Sequence, residues 1–227
     1  MAAHFFMTSK NYTQVPLNGL FATPFYKASF GFSAEREVLK SLLLSREVDQ
    51  YRNSDSPQNV HSKVFESNFD LLSWPDDVVQ NFKSALNQHL MYYLVAVNGV
   101  SQQDLQGLRF QNEAWFHVTR SGGYFQPHTH PLASVSVIYC VCPGDQSVED
   151  DRESGSVIFS DPRGGASMYI DPVNRNMKRA FSFDAIRFRF APDEICIFPS
   201  YLQHSVEPYV GNNPRVTIAA NFSFDLK

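Results

Sequence analysis

The sequence predicts an α+β chain, mainly β, in which N-terminal helices support a rolled antiparallel barrel. Three observations predict it. Two segments before residue 105 carry apolar residues at helical spacing. Seven segments after residue 106 alternate or run apolar at strand length, punctuated by Gly, Pro and Asn. Twenty Phe and ten Tyr suit the pleated, half-buried surfaces of sheets. No repeat, low-complexity tract or Gly/Ser linker interrupts the 227 residues. One domain is therefore expected over 1–227, with 1–105 supporting the barrel and 106–227 forming it.

The elements follow in chain order. "GLFATPFYKASF" (19–30) reads as a strand, with Pro24 marking an edge position. Ser33 is a candidate N-cap for a helix in "AEREVLKSLLLSREV", whose apolar stripe is read at Val38, Leu42 and Val48. A polar loop spans 49–63. In "SWPDDVVQNFKSALNQHLMYYLVAVNG" (73–99) a cap precedes Pro75, acids fill the first turn and Gly99 terminates the helix. Its stripe is Val78, Phe82, Leu86, Leu90 and Tyr93. The strands are expected in "LRFQNEAWFHV", "SVSVIYCVC", "GSVIFS", "FSFDAIRFRF", "EICIFPS", "HSVEPYV" and "RVTIAANFSF". Helices followed by such a series of strands fit a helix-supported barrel.

Charge and cysteine content narrow the function classes. A net charge of −4 with no basic run argues against reading a nucleic-acid backbone. No stretch approaches 18 consecutive apolar residues, and the first residues lack a signal pattern, so no membrane role is expected. Cys140, Cys142 and Cys196 form no even framework. Cys140 and Cys142 are read on one strand face, and all three as reduced thiols of a cytoplasmic protein.

The chemistry gathers around "GYFQPHTHP" (123–131). On a strand, residues i and i+2 share a face about 6–7 Å apart. His128 and His130 would then present two imidazoles to one side, an arrangement that costs desolvation unless something binds them. His204, after the apolar run Ile195–Phe198, can return beside them in a rolled barrel. The three would form a facial set of metal ligands, leaving positions open for a bidentate small molecule and dioxygen. Eleven residues on, Arg215 opens a strand whose alternation puts Arg215, Thr217, Ala219, Asn221 and Ser223 on one face. A guanidinium beside a threonine hydroxyl makes a carboxylate clamp.

The series "GYFQPHTHP…SVSVIYCV…GSVIFSDPR…IFPSYLQHSVEP…RVTIAANF" resembles the Fe(II)/2-oxoglutarate-dependent dioxygenases of the prolyl-hydroxylase-like group, nearest to a small family of oxygenases from bacteria and phages. The resemblance covers about 106–227, and "LFATPFYKASF" is similar to that family's opening strand. It implies a double-stranded β-helix, or jelly roll, with helices packed on the larger sheet. It implies Fe(II) at His128, His130 and His204, with Arg215 and Thr217 on the distal carboxylate of 2-oxoglutarate. The superfamily's usual second ligand is Asp or Glu; that slot holds His130, as the narrower family has it. A neutral ligand leaves the ferrous centre more positive, which the dianionic co-substrate offsets. The implied activity is hydroxylation of a small-molecule or peptide substrate by dioxygen, with release of succinate and CO2.

Further positions follow from the same reading. Tyr139 or Cys140 occupies the region where relatives place a tyrosine against the co-substrate; alternation admits one, and Tyr139 is preferred. Asn221 is a further candidate contact to the co-substrate or a structural hydrogen bond. Asn112 and Trp115 have opposite facing, so at most one should line the pocket. Asp161-Pro-Arg163-Gly-Gly reads as a turn. His4, His61, His89 and His117 have no evident partners and read as surface or satisfied histidines. Two rival classes stand beside this one. A metal-binding cupin, not using 2-oxoglutarate, is matched by Gly122 six residues before His128 and Pro199 five before His204. It lacks that motif's Glu after H-x-H, and Tyr201 stands where a Gly belongs. The other is a non-catalytic metal-binding barrel. A homodimer would be ordinary.

Overall fold

The computed structural model describes residues 19–54, 63–145, 153–163, 171–172, 176–178, 181–182 and 185–226. His4 and His61 lie outside them. Contacts divide the chain into two units: Met1–Ala22 with Tyr169–Ser182, and Thr23–Met168 with Phe183–Lys227. The second carries all the elements that follow.

These are β1 (Tyr26–Ser29), α1 (Ser33–Ser45), β2 (Val64–Glu66), α2 (Asp77–Asn98), β3 (Leu108–Thr119), β4 (Phe125–His128), β5 (Val135–Cys142), β6 (Val157–Phe159), β7 (Ile186–Phe188), β8 (Glu194–Pro199), β9 (His204–Val206) and β10 (Arg215–Leu226). A six-stranded sheet runs β1-β8-β5-β10-β3-β2, and a four-stranded sheet runs β4-β9-β6-β7. The strand pairs within both sheets are antiparallel. This is the expected double-stranded β-helix. β1 sits at the edge of the larger sheet, where Pro24 costs no ladder bond.

Two apolar layers hold it. Leu39 and Leu43 of α1 and Phe82, Leu86 and Leu90 of α2 pack with Tyr139, Ile195, Ile197, Ile218 and Phe222 of the larger sheet. Phe125, Cys140, Val157, Phe159, Cys196 and Phe198 fill a second cluster, joining residues of both sheets. The helices therefore cover one face of the larger sheet, and the other face turns toward the site.

The α1 stripe differs from expectation in phase, whereas that of α2 holds at Phe82, Leu86, Leu90 and Tyr93. Leu39 and Leu43 are fully buried, whereas Val38 is 60% and Val48 48% exposed. The Arg36 guanidinium donates to the Val141 carbonyl at 2.8 Å, which fixes the 36/39/43 face against β5. In α2 Val78 is half-buried against the core, and Val79 beside it is fully buried. The expected caps are also replaced. Phe32 is the cap residue of α1, and Asp76 that of α2 makes no side-chain capping bond. Gly99 ends α2 as expected, with φ +65° and its N–H donating to Val95.

Asp193 anchors the chain leading into α1 from across the fold. This buried, non-glycine residue has φ +67°. Its carboxylate accepts from the Gly31 and Phe32 amides at 3.2 and 3.1 Å, the Ser33 hydroxyl at 2.7 Å and the Tyr139 hydroxyl at 3.0 Å. Asp193→Ala strands those buried donors and should cost about 3 kcal/mol. Asp193→Asn keeps one acceptor oxygen and should cost less. Urea unfolding midpoints of the two variants check both expectations.

Candidate metal and co-substrate site

β4 and β9 set the first two imidazoles opposite each other, since His128 pairs with His204 in register. β4 ends at His128, so His130 is not on the same strand, contrary to the expected i, i+2 pair. It lies at the start of the following turn, where its amide donates to the Ser200 carbonyl at 3.0 Å. The turn still brings the third ring in. Ring centroids are 4.3 Å apart for His128 and His204, 5.2 Å for His128 and His130, and 5.3 Å for His130 and His204. One nitrogen from each lies within 4.8 Å of the others.

The donor chemistry fits a metal. His128 Nδ1 is 2.7 Å from the Gln126 carbonyl, and His204 Nδ1 is 3.0 Å from the Leu202 carbonyl. A carbonyl can only accept, so each Nδ1 carries the proton and each Nε2 keeps its lone pair. Phe159 and Phe198 flank the buried His204 ring. Burial, then repulsion from His128, holds the pKa of His130 down at about 4 and that of His204 at about 3; burial also lowers that of His128. The triad is thus neutral and ready to ligate at neutral pH.

Arg215 opens β10 at the inner end of the same cavity, which measures about 650 Å³. It is buried, and its Nη1 lies 3.5 Å from Thr217 Oγ1. Burial presses its pKa down from the usual arginine value. Among the described residues no carboxylate pairs with it. Gly155, at φ +63°, makes room for its stem, since a Cβ there would stand 3.1 Å from Arg215 Cδ. Thr119, opposite Arg215 in register, has a buried hydroxyl with no partner among the described residues. A buried cation beside spare hydroxyls fits an incoming carboxylate.

Tyr139 requires correction. It pairs with Ile218 and Ile195, packs under the helices and donates to Asp193, so it faces away from the cavity. Cys140, opposite Thr217, takes the inner face, and burial pushes its thiol up to about 12. The register with β10 shifts between Val216 and Thr217, so Cys142 opposes Val216 and packs on the helix side. Cys140 and Cys142 therefore do not share a face. Asn221 lines the cavity with its Nδ2 3.2 Å from His130 Nδ1 and its Oδ1 accepting from Ser136 at 2.8 Å. Asn112 and Trp115 both border the cavity, although only Trp115 shares the inward register of Arg215. Asp161 and Arg163 bond across their turn. His89 is satisfied by Tyr26 and Phe30.

His117 is satisfied, one of the two readings expected of it, but its place beside Glu66 in the cavity wall was not foreseen. Both are buried and line the cavity. His117 Nε2 lies 3.0 Å from Glu66 Oε2 and 2.9 Å from Trp115 Nε1, and Asn53 donates to Glu66 Oε1 at 2.9 Å. His117 shares parity with Trp115 and faces Thr217, which alternation along β3 could have revealed. Glu66 sits on a three-residue strand with no periodicity to read.

Residues 113–221 match the family model described as "Putative 2OG-Fe(II) oxygenase". No curated protein sequence matches the chain. Among solved structures, a Pseudomonas putida prolyl-4-hydroxylase is similar at TM-score 0.60 and 14% identity, covering 90% of this chain and 94% of that one. A prolyl hydroxylase from Trichoplax adhaerens, in complex with a hypoxia inducible factor peptide fragment, gives 0.56 and 14%, covering 88% and 83%. HygX from Streptomyces hygroscopicus, with nickel, 2-oxoglutarate and hygromycin B bound, gives 0.54 and 13%, covering 89% and 83%.

The low pKa values set the pH response of the metal-free protein. Unfolded histidine takes up a proton near pH 6.5, whereas folded His130 refuses it until about pH 4. Stability is full above pH 6.5 and is lost as pH falls toward 4. His130→Asn should weaken that loss. Urea unfolding of both proteins at pH 7, 6 and 5 should show the wild type falling faster.

Proposed function

We propose that the chain, a 2-oxoglutarate/Fe(II)-dependent oxygenase by its family match and fold, hydroxylates a C–H group of a small-molecule or peptide substrate. Bound Fe(II) supplies the activation of dioxygen: 2-oxoglutarate, O2 and R–H give succinate, CO2 and R–OH. His128, His130 and His204 would hold the metal. Arg215 and Thr217 grip the distal carboxylate of 2-oxoglutarate. Val157, Phe198 and Val206 line the cavity and exclude water from it. The observation that carries this reading is the buried Arg215, unpaired with any described carboxylate, opening onto the cavity of the three histidines.

Substrate would enter at the other end, where Gln111, Glu113, Leu132 and Ser223 line the cavity. The Trichoplax adhaerens and Streptomyces hygroscopicus structures, with a peptide fragment and hygromycin B respectively, support keeping both substrate classes. The homodimer that the sequence allows draws no support from the fold. We place the chain in the cytoplasm, because a reducing compartment suits its free thiols.

Anaerobic titration of the Fe(II)-loaded protein with 2-oxoglutarate tests this function. Arg215→Ala removes a charge-assisted, two-pronged contact of about 2–3 kcal/mol, so affinity should fall roughly 30- to 160-fold while the metal stays bound. Unchanged 2-oxoglutarate affinity in that variant would remove the clamp from the site.

A further inference from the structure

The three histidines are tethered in two different ways. His128 and His204 each offer Nδ1 to a main-chain carbonyl two residues earlier, which settles their tautomers. Among the described residues His130 has no such carbonyl. Its Nδ1 meets the side-chain amide of Asn221, an end that can donate or accept according to its orientation. As placed, Asn221 Nδ2 points at Nδ1 and Oδ1 accepts from Ser136. Neutral His130 would then carry its proton on Nε2, the nitrogen that a metal needs bare. Rotating the amide by half a turn exchanges the roles. Oδ1 accepts from Nδ1–H, Nδ2 donates to Ser136 Oγ, and Ser136 in turn donates to Ser200 Oγ, 2.8 Å away. Every polar group stays satisfied, because hydroxyls both give and take. Ser200 also holds the His130 amide through its carbonyl, so the chain closes on the residue it serves.

We propose that Asn221, backed by Ser136 and Ser200, is the positioning residue for His130: its Oδ1 accepts the Nδ1 proton and so bares Nε2 for the metal. This rests on the metal site proposed above. Metal binding selects the orientation in which Oδ1 faces the ring. Partners of this kind typically change metal affinity 10- to 100-fold.

The test is titration of the metal-free protein with Co(II), followed by its visible ligand-field band, in wild type, Asn221→Leu and Asn221→Asp. Asparagine and aspartate have the same size, but a carboxylate can only accept. Asn221→Asp should therefore bind Co(II) at least as tightly as wild type with the same band, whereas Asn221→Leu should bind 10- to 100-fold more weakly. Leu binding within twofold of wild type would overturn the proposal. So would an Asp variant that loses tenfold or more, since only the amide's shape or donor would then matter; this outcome decides the question even where the Leu variant does not fold. A wild type that takes up no Co(II) would instead refute the metal site itself, and the positioning role with it.

Discussion

The register of β10 is the constraint on which the rest depends. This strand lies between β5 and β3 in the middle of the larger sheet and is covered on both faces. Val216, Ile218, Ala220 and Phe222 pack beneath the helices, while Arg215, Thr217, Ala219, Asn221 and Ser223 line the cavity. A slip of one residue would exchange the two sets completely. It would bury a guanidinium and an amide under α1 and α2 and turn Phe222 into the cavity. Core packing and site assembly are therefore the same event. The ladder that enforces it is long, running from Arg215 opposite Thr119 to Leu226 opposite Leu108.

That coupling explains what could be read from the chain. The 3.6 and 2.0 periods give the kinds of element and the inward set of β10, because a strand apolar on one face and polar on the other declares its own phase. β5 does not declare one. "VSVIYCVC" is apolar on both faces, so alternation could say that Tyr139 and Cys140 differ but not which turns inward. Pairing with β10 decides it, and the register shift beyond Thr217 moves Cys142 to the other side. Helix α1 fails in a similar way. With leucines at 39, 42, 43 and 44, its stripe is broad enough for several phases, and Arg36 reaching Val141 selects one.

The candidate metal site was legible as residue types but not as geometry. H-x-H was expected to work through a strand's pleat. Instead β4 ends at His128, and the turn brings His130 round to meet its partners. The pair Glu66 and His117 was hidden for a different reason. Their bond spans 51 residues and depends on a short strand that pairs with the end of β3. No local pattern carries such information.

Charge explains why a set of neutral ligands can be stable there. Burial keeps the three rings unprotonated, so the metal-free site holds no mutually repelling cations. Glu66, a buried carboxylate in the cavity wall, is held by Asn53 and His117 rather than offered to the triad. Arg215 stays buried with no paired carboxylate among the described residues, an arrangement that costs folding free energy. With a divalent metal at the triad, the cavity would carry three positive charges against a dianion that places one carboxylate near the metal and the other at Arg215. A protein carboxylate in the second ligand position would cancel part of that field. With His130 there instead, the site as proposed would favour the dianionic co-substrate. It also leaves one new problem, the choice of tautomer, which an aspartate ligand would not have posed.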